Sequence, residues 1–472
     1  MRCPDDSFDA AAFFDGDESY ELHLNTSTVA IVANTTLGTL RALESMKQLF
    51  YLHSSTRKVY TSLSPVHVID APHWRHRGLS LDIARNSFLP EDVMKTMNAM
   101  AAAKMSRLHL HATDSQSWPL EVPALPELSR KGAYQPHLVW TAEQLAEVQR
   151  YGALKGIQVF VELDMPGHTA SIAYAYPHLI AAFNELDWST FAAEPQSGQL
   201  KLDSDEVRHF LDALFEDLLP RIAPYSTLYH FGGDEVNQQV HLLDQAVRSN
   251  ASHILKPLVQ RILDQVLDHT SRNSLQPVVW EEMALDWGLD LPEQTLVQVW
   301  RSNKRIKEVL EKGFKVVFGD SEHWYLDCGF GQFLDPYPSG RSPNGVPFNT
   351  SGGVPSGLDA PYLDYCQPYH NWRSVYTFDP LDGVSEHLHP GVEGGEVLMW
   401  TEQTDGIDLD FKLWPRTAAA AEVLWAGPRT KGQIADATWR LGHFRERLWL
   451  NHAIRSSPVQ MTWCLMEGGC EY

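Results

Sequence analysis

The sequence predicts an α/β protein: a (β/α)8 barrel preceded by a small α/β piece. Three observations carry this. Eight short apolar runs alternate with helical stretches after about residue 70. Polar and charged residues recur at or just beyond the C-terminal ends of those runs, where barrels of this kind gather their chemistry. No glycine-rich phosphate fingerprint follows the first run, which disfavours the runner-up, a doubly wound sheet. A chain of 472 residues is long by the usual single-domain measure. One barrel of about 250 to more than 400 residues still accommodates most of it.

Residues 1–70 form the first piece. Tyr20-Glu21-Leu22-His23-Leu24 alternates as a half-buried strand does, Thr28 to Ala33 is rich in β-branched residues, and Gly38 to Leu52 has helical periodicity. Pro65 to Pro72 reads as the junction, and residues 71–472 as the barrel with a C-terminal tail. The barrel strands are expected at Gly78–Ile83, Arg107–His111, Ile157–Leu163, Leu228–Phe231, Pro277–Trp280, Leu296–Trp300, Lys315–Phe318 and Glu396–Trp400. Helices are expected at Pro90–Lys104, Thr141–Lys155, Ser204–Leu219, Ile254–His269 and Gly432–Leu450. Pro90-Glu91-Asp92 is a helix start, with proline and acids in the first turn. The stretch from Gly329 to Pro380, rich in Pro, Gly, Asn and Tyr, falls between strands seven and eight. Its aromatics Tyr362, Tyr365, Tyr369 and Trp372 favour an ordered loop near the active face.

Composition narrows the function. Lys and Arg number 38 against 60 Asp and Glu, a formal charge of −22. A nucleic-acid partner would want a basic face. No run of 18 or more apolar residues exists, so no membrane-spanning helix is expected. Many of the 15 Trp residues are expected in the core, but indole rings also stack on the apolar faces of pyranose sugars. Cys328 and Cys366 bracket the long loop as a staple would, Cys464 and Cys470 can close a small loop, and Cys3 is left over. Sequons stand at Asn25, Asn34, Asn250 and Asn349. Met1-Arg2-Cys3-Pro4-Asp5-Asp6 is not a signal peptide, and an odd cysteine beside it suggests residues missing upstream.

The densest signal is His230-Phe231-Gly232-Gly233-Asp234-Glu235. It sets two adjacent carboxylates behind a Gly-Gly turn at the end of a buried strand. A lone Asp-Glu pair is more often an exposed turn, but other strand ends point the same way. Arg77 opens strand one, and Asp114 follows strand two. Glu162 and Asp164 share one face of strand three, ahead of Met165-Pro166-Gly167-His168. Trp280-Glu281-Glu282, Trp300, Trp324-Tyr325-Leu326-Asp327 and Trp400-Thr401-Glu402 complete the set. Charged groups bind hydroxyls, aromatics stack on rings, and a carboxylic acid protonates a leaving oxygen. Asp82 and Arg85 read as a structural pair at the rim. His109 and His111 resemble a metal pair, but no third ligand at metal spacing follows, and no metal or cofactor is expected.

With these motifs the chain resembles glycoside hydrolase family 20, the β-N-acetylhexosaminidases, and within it the secreted fungal members. The likeness runs from about residue 15 to 470. It implies a retaining, substrate-assisted mechanism in which the sugar's own 2-acetamido group attacks and no protein nucleophile does. By resemblance, Glu235 is the general acid and base, Asp234 orients the acetamido N–H, and Tyr325 donates to the acetamido oxygen. Trp280, Trp300 and Trp400 wall the pocket. Arg77, Asp327 and Glu402 bind sugar hydroxyls, and Asp114 with His168 couples to the acid. The implied partner is an oligosaccharide ending in N-acetylhexosamine; family members are often homodimers, though no residue here demands it. The implied location is extracellular or vacuolar. The chain departs from the family in its short front, in Arg107 where many members have Asn, and in Leu110 where others have Trp. Two competing readings stand: a catalytically silent sugar binder on the same barrel, and a two-carboxylate glycosidase with no acetamido requirement.

Overall fold

Strands β1 (Tyr20–Leu24), β2 (Val29–Ala33) and β5 (Val66–Asp70) form an antiparallel sheet in the order β2-β1-β5. The structure is a computed structural model, and it describes residues 8–186, 188–331, 333 and 365–465. Alternation along β1 decides which face is covered. Tyr20, Leu22 and Leu24 are buried, and the first two pack with the helix Thr36–Gln48 and Trp425, while His23 points to solvent. The expected Gly38–Leu52 helix stops at Gln48, and Tyr51–Leu52 instead becomes β3, paired with β4 (Val59–Tyr60).

A cluster of buried charges joins this piece to the barrel floor. Glu18 meets Arg41 Nε at 2.6 Å and Arg77 Nη1 at 3.0 Å. Burial pushes the Glu18 carboxyl up, but the two guanidiniums outweigh it and hold it at about 2.

Eight parallel strands close the barrel: β6 (His76–Asp82), β7 (Arg107–His111), β8 (Gln158–Glu162), β11 (Leu228–His230), β12 (Gln276–Trp280), β13 (Leu296–Val299), β14 (Lys315–Phe318) and β15 (Val392–Met399), with β15 pairing back to β6. The small ribbon β9 (Ile180–Ala181) with β10 (Gln199–Leu200) lies in the connection after β8. Each predicted barrel strand is present, with ends shifted by a few residues. The five predicted helices are present too, such as Pro90–Ala102 and Asp205–Ile222. Trp324-Tyr325-Leu326 adds a short pairing alongside β15, with Leu326 N donating to Leu398 O at 2.8 Å. Among the described residues no helix is long and apolar enough to cross a membrane.

The barrel interior combines an apolar cluster with a polar one. Phe160, Leu228, Val278, Leu296 and Val317 make the first. The second holds His76, His109, Glu162, His230, Gln298 and Glu396, all buried. Glu396 takes His76 Nε2 at 2.6 Å, His109 Nδ1 at 3.1 Å and Gln298 Nε2 at 3.0 Å. Room for its side chain comes from Gly78 on the neighbouring strand, where an added Cβ would stand 2.5 Å from Glu396 Cγ. Charged groups this deep persist because each has partners.

Candidate active site

The Gly-Gly turn after β11 does what its sequence suggests. Gly232 and Gly233 have φ of 80° and 101°, and Glu235 follows at 46°. This left-handed run swings the chain off the strand end, so that Asp234 and Glu235 stand at the C-terminal mouth. Gly233 N–H donates to Asp164 Oδ1 at 2.6 Å, which ties the turn to the end of β8.

His168, in its own left-handed residue at φ 51°, is the hub. Its Nδ1 lies 3.1 Å from Asp114 Oδ1, and its Nε2 is 3.3 Å from Glu235 Oε2 and 3.8 Å from Asp234 Oδ2. Burial disfavours its charge, but Asp114 and Asp234 reverse that and raise it well above the usual imidazole range. The chain of contacts continues inward. Asp114 Oδ2 meets His111 Nε2 at 2.8 Å, and His111 Nδ1 meets Glu162 Oε2 at 2.6 Å. Glu162 also accepts from Trp280 Nε1 at 2.7 Å. One buried carboxylate thus fixes both a wall of the pocket and the train of groups behind Glu235. His109 Nε2 lies 3.0 Å from the same carboxylate; burial opposes its charge, but Glu396 and Glu162 lift it to about 9. His109 and His111 are therefore engaged with carboxylates within the polar core.

Asp164 and Asp234 face one another beside His168. Burial lifts Asp164 to about 6; burial and repulsion from Asp164 raise Asp234 well above the carboxylate range. Two acids this close disfavour each other's charge, and His168 beside them offsets part of that repulsion.

The structure brings the aromatic residues of four strand ends together. Tyr325, Trp280 and Trp400 cluster, with Trp300 packed against them. Trp300 stacks on Tyr325 with centroids 6.2 Å apart, and Trp280 and Trp400 lie 6.2 Å apart. Burial pushes the Tyr325 phenol well up, so it remains a donor. Its backbone is held by His370 Nδ1, 2.9 Å from Tyr325 O. The Cys328–Cys366 disulfide closes behind it, and Tyr365 Oη donates to Asp327 Oδ2 at 2.7 Å. Burial raises Glu402 well above the usual range, with Glu194, Asp327 and Asp82 adding repulsion and Arg85 opposing them, so it shares the acidic rim. Tyr369 instead stacks under Arg416 at 4.5 Å, and Trp372 is buried with Nε1 on Val459 O. Tyr362, Cys3, Cys470 and Asn349 lie outside the described residues.

Arg77 is a correction. It is fully buried at the N-terminal end of β6, bound to Glu18 and to the carbonyls of Trp74 and Lys104. Parallel strands all point their C-terminal ends at the mouth, so the residue opening a strand stands on the opposite floor. The mouth arginine is Arg85, three residues past the end of the same strand. Its Nη1 is 2.8 Å from Asp114 Oδ2, its Nε 2.7 Å from Glu194 Oε1, and its guanidinium lies 5.0 Å over Trp400. Its rim pairing with Asp82 is present but looser, at 3.5 Å. Asp82 Oδ1 accepts from Ala84 N and Arg85 N, shaping the turn that presents Arg85. The strand-end rule would have found Arg85. Glu194 had no such signal, because it comes from the β8–β11 connection.

Beside Glu235 a cleft of about 500 Å³ opens between Trp300, Trp287, Lys256, Glu282 and Arg301. Glu282 lines it and accepts from Trp300 Nε1 at 3.1 Å, whereas Glu281 is buried under Arg301. Two carboxylate–histidine groups in the pocket, Asp114–His168–Glu194 and Asp164–His168–Asp234, have atoms close enough to hold a cation. Arg85 already neutralises the first, and His168 serves both. Adjacent carboxylates, a phenol and an indole cage at a barrel mouth are suited to cleaving a glycosidic bond.

Comparison with known proteins agrees. The profile of the glycosyl hydrolase family 20 catalytic domain matches residues 74–428, and a profile described as beta-acetyl hexosaminidase like matches residues 5–49. A beta-hexosaminidase of Arthroderma benhamiae is 44% identical over 97% of this chain and 75% of its own length. A chitooligosaccharidolytic beta-N-acetylglucosaminidase of Ostrinia furnacalis is 31% identical over 96% of this chain and 75% of its own. Among solved structures, a chitobiase of Flavobacterium johnsoniae superposes with a TM-score of 0.74 at 25% identity, over 93% of this chain and 60% of that one. The strand-end acids, the indole cage and these matches together place the chain in glycoside hydrolase family 20, as a glycoside hydrolase.

Proposed function

We propose that this chain is an exo-acting β-N-acetylhexosaminidase that removes terminal GlcNAc or GalNAc by substrate-assisted, retaining hydrolysis. The supporting observation is Asp234 and Glu235 side by side at the mouth, beside the cage of Trp280, Trp300, Trp400 and Tyr325. Glu235, the more exposed of the two acids, gives its proton to the leaving oxygen as the substrate's acetamido oxygen closes on the anomeric carbon. The product of that step is an oxazolinium ion and the free aglycone. Glu235, now a carboxylate, takes a proton from water, which opens the ring with net retention. Asp234 accepts from the acetamido N–H and faces its developing positive charge. Tyr325 donates to the acetamido oxygen, and the indoles enclose its methyl. Asp114 and His168 hold Glu235 in place.

Arg85, Glu194, Asp327 and Glu402 bind the hydroxyls of the terminal sugar, and the cleft beside Glu235 receives the aglycone. Chitooligosaccharides are the favoured natural substrates, and glycoconjugate glycans the other class. Secretion or vacuolar delivery is supported by the disulfide and by the exposed sequons at Asn25, Asn34 and Asn250. The test is initial-rate hydrolysis of an aryl N-acetyl-β-glucosaminide beside the matching β-glucoside. Cleavage of the first alone is expected. Cleavage of both would overturn the acetamido requirement, and cleavage of neither by folded protein would favour a silent binder. Glu235→Gln should lower kcat on an unactivated oligosaccharide by about 10²–10⁴-fold.

A further inference from the structure

The outer face of the front sheet carries a second cluster of metal-ligating side chains, separate from the catalytic pocket. Alternation puts Glu21 and His23 on the face of β1 opposite its buried residues Tyr20, Leu22 and Leu24. The antiparallel register sets His67 of β5 directly across from His23. The three side chains converge. Glu21 Oε2 is 3.2 Å from His23 Nε2 and 3.3 Å from His67 Nε2. The two imidazoles stack, with centroids 4.0 Å apart and planes at 16°, so their in-plane lone pairs run side by side and a side-chain rotation is needed to turn both Nε2 atoms onto one ion. The three ligand atoms all lie within 4.8 Å of one another.

These separations can be compared with a coordination polyhedron. Metal–ligand bonds of about 2.0–2.1 Å in a tetrahedron place the ligand atoms roughly 3.3–3.4 Å apart. Both measured edges to the carboxylate come close to that. The ligand types agree as well, since two imidazoles and a carboxylate form a common zinc donor set, and imidazole suits divalent zinc, copper and nickel. The side chains are about half exposed, so a fourth position facing water is available.

We propose that His23, His67 and Glu21 form a site for a divalent transition-metal ion of the zinc class, with water as the fourth ligand. The ion would cross-link the central strand β1 to the edge strand β5. The chain runs from β5 through only five residues, 71–75, into β6, the first barrel strand, so the clip would steady the front sheet where it enters the barrel. Three protein ligands at a surface bind less tightly than a closed four-ligand site, so a dissociation constant on the order of 10 µM is expected at neutral pH.

The experiment is isothermal titration of Zn2+ into the full chain after chelator treatment, with wild type, His67→Ala and Glu21→Gln in parallel. The carboxylate–histidine groups of the catalytic pocket are a second place for zinc. The readout is therefore the difference in bound equivalents between proteins. Wild type is expected to bind one equivalent more than His67→Ala. Glu21→Gln, which keeps the size of the side chain but not its charge, should bind that equivalent at least tenfold more weakly. Zinc should also raise the melting temperature of wild type by more than that of His67→Ala. Equal equivalents in wild type and His67→Ala, or no uptake by wild type at about 100 µM Zn2+, ten times the expected constant, overturns the site. His67 is exposed, and circular dichroism of His67→Ala confirms that the comparison is between folded proteins.

Discussion

Gly232→Ala is the most direct test of how the Gly-Gly turn builds the site. Gly232 has φ of 80°, and a Cβ there would stand 1.8 Å from Asp164 Oδ1, 2.5 Å from its Cγ and 2.6 Å from its Cα. The last contact is with backbone, so no rotamer change at Asp164 relieves it. Holding a non-glycine residue in the left-handed region costs about 1–2 kcal/mol. Displacing Asp164 also breaks the charged hydrogen bond from Gly233 N–H, about 1.5–3 kcal/mol. Together these come to about 3–5 kcal/mol. An unfolding entropy of about 2.1 cal/mol/K per residue, over 472 residues, gives roughly 1 kcal/mol per degree. The melting temperature should therefore fall by about 3–5 °C. Moving Asp164 also moves its neighbour Asp234, and a shift of about 1 Å at a reacting group costs on the order of 10²-fold in rate. The assays are differential scanning fluorimetry and kcat/KM on an aryl N-acetyl-β-glucosaminide. Gly313→Ala is the control, because Gly313 has φ of 89° but nothing within 4 Å of its added Cβ. It should lose only about 1–2 °C and no activity. If Gly232→Ala keeps kcat/KM within about twofold and melts like the control, the turn does not position Asp164 and Asp234, and the reasoning fails.

Four further outcomes are expected. Arg85→Ala should lower kcat/KM by roughly 10- to 100-fold in a stably folded protein. Arg77→Ala should leave the kinetic constants unchanged but lose about 3–5 kcal/mol of stability, since it strips a partner from buried Glu18; fluorimetry and steady-state kinetics separate the two. The Glu18 carboxyl titrates at about 2 when folded, against about 4.3 unfolded, so its contribution to stability is full above that unfolded value and is lost as pH falls through about 2. Urea midpoints of wild type and Glu18→Gln should thus differ by a constant amount from pH 7 to about 5 and converge below about pH 4. Cys366→Ser opens a disulfide spanning 38 residues, for which the loop-entropy relation gives about 4 kcal/mol, a fall of roughly 4 °C in melting temperature. Because Cys328 packs with Tyr325, Trp280 and Trp400, KM should rise in the same variant.

Much of this protein is legible in one dimension. The eight barrel strands follow from short β-branched runs between amphipathic helices, because a strand buried on both faces needs a nearly continuous apolar sequence. The Gly-Gly-Asp-Glu turn is legible because only glycine takes consecutive positive φ values without strain, and the staple because its cysteines bracket a loop beside a strand end. Arg77 and Arg85 show where that reading stops. Both flank one strand, and only its direction relative to the mouth tells that one binds the floor and the other the site.

Local periodicity and turn chemistry thus account for the set of elements and for the acids at their ends. Which distant groups become partners is set by the fold as a whole. Glu162 reaches His111 on the adjacent strand and Trp280 two strands away. Glu194 comes from a connection with no local signature, and His67 meets His23 only through antiparallel register. Such pairings depend on barrel closure and strand register, which arise from the summed packing of the whole chain rather than from any window along it.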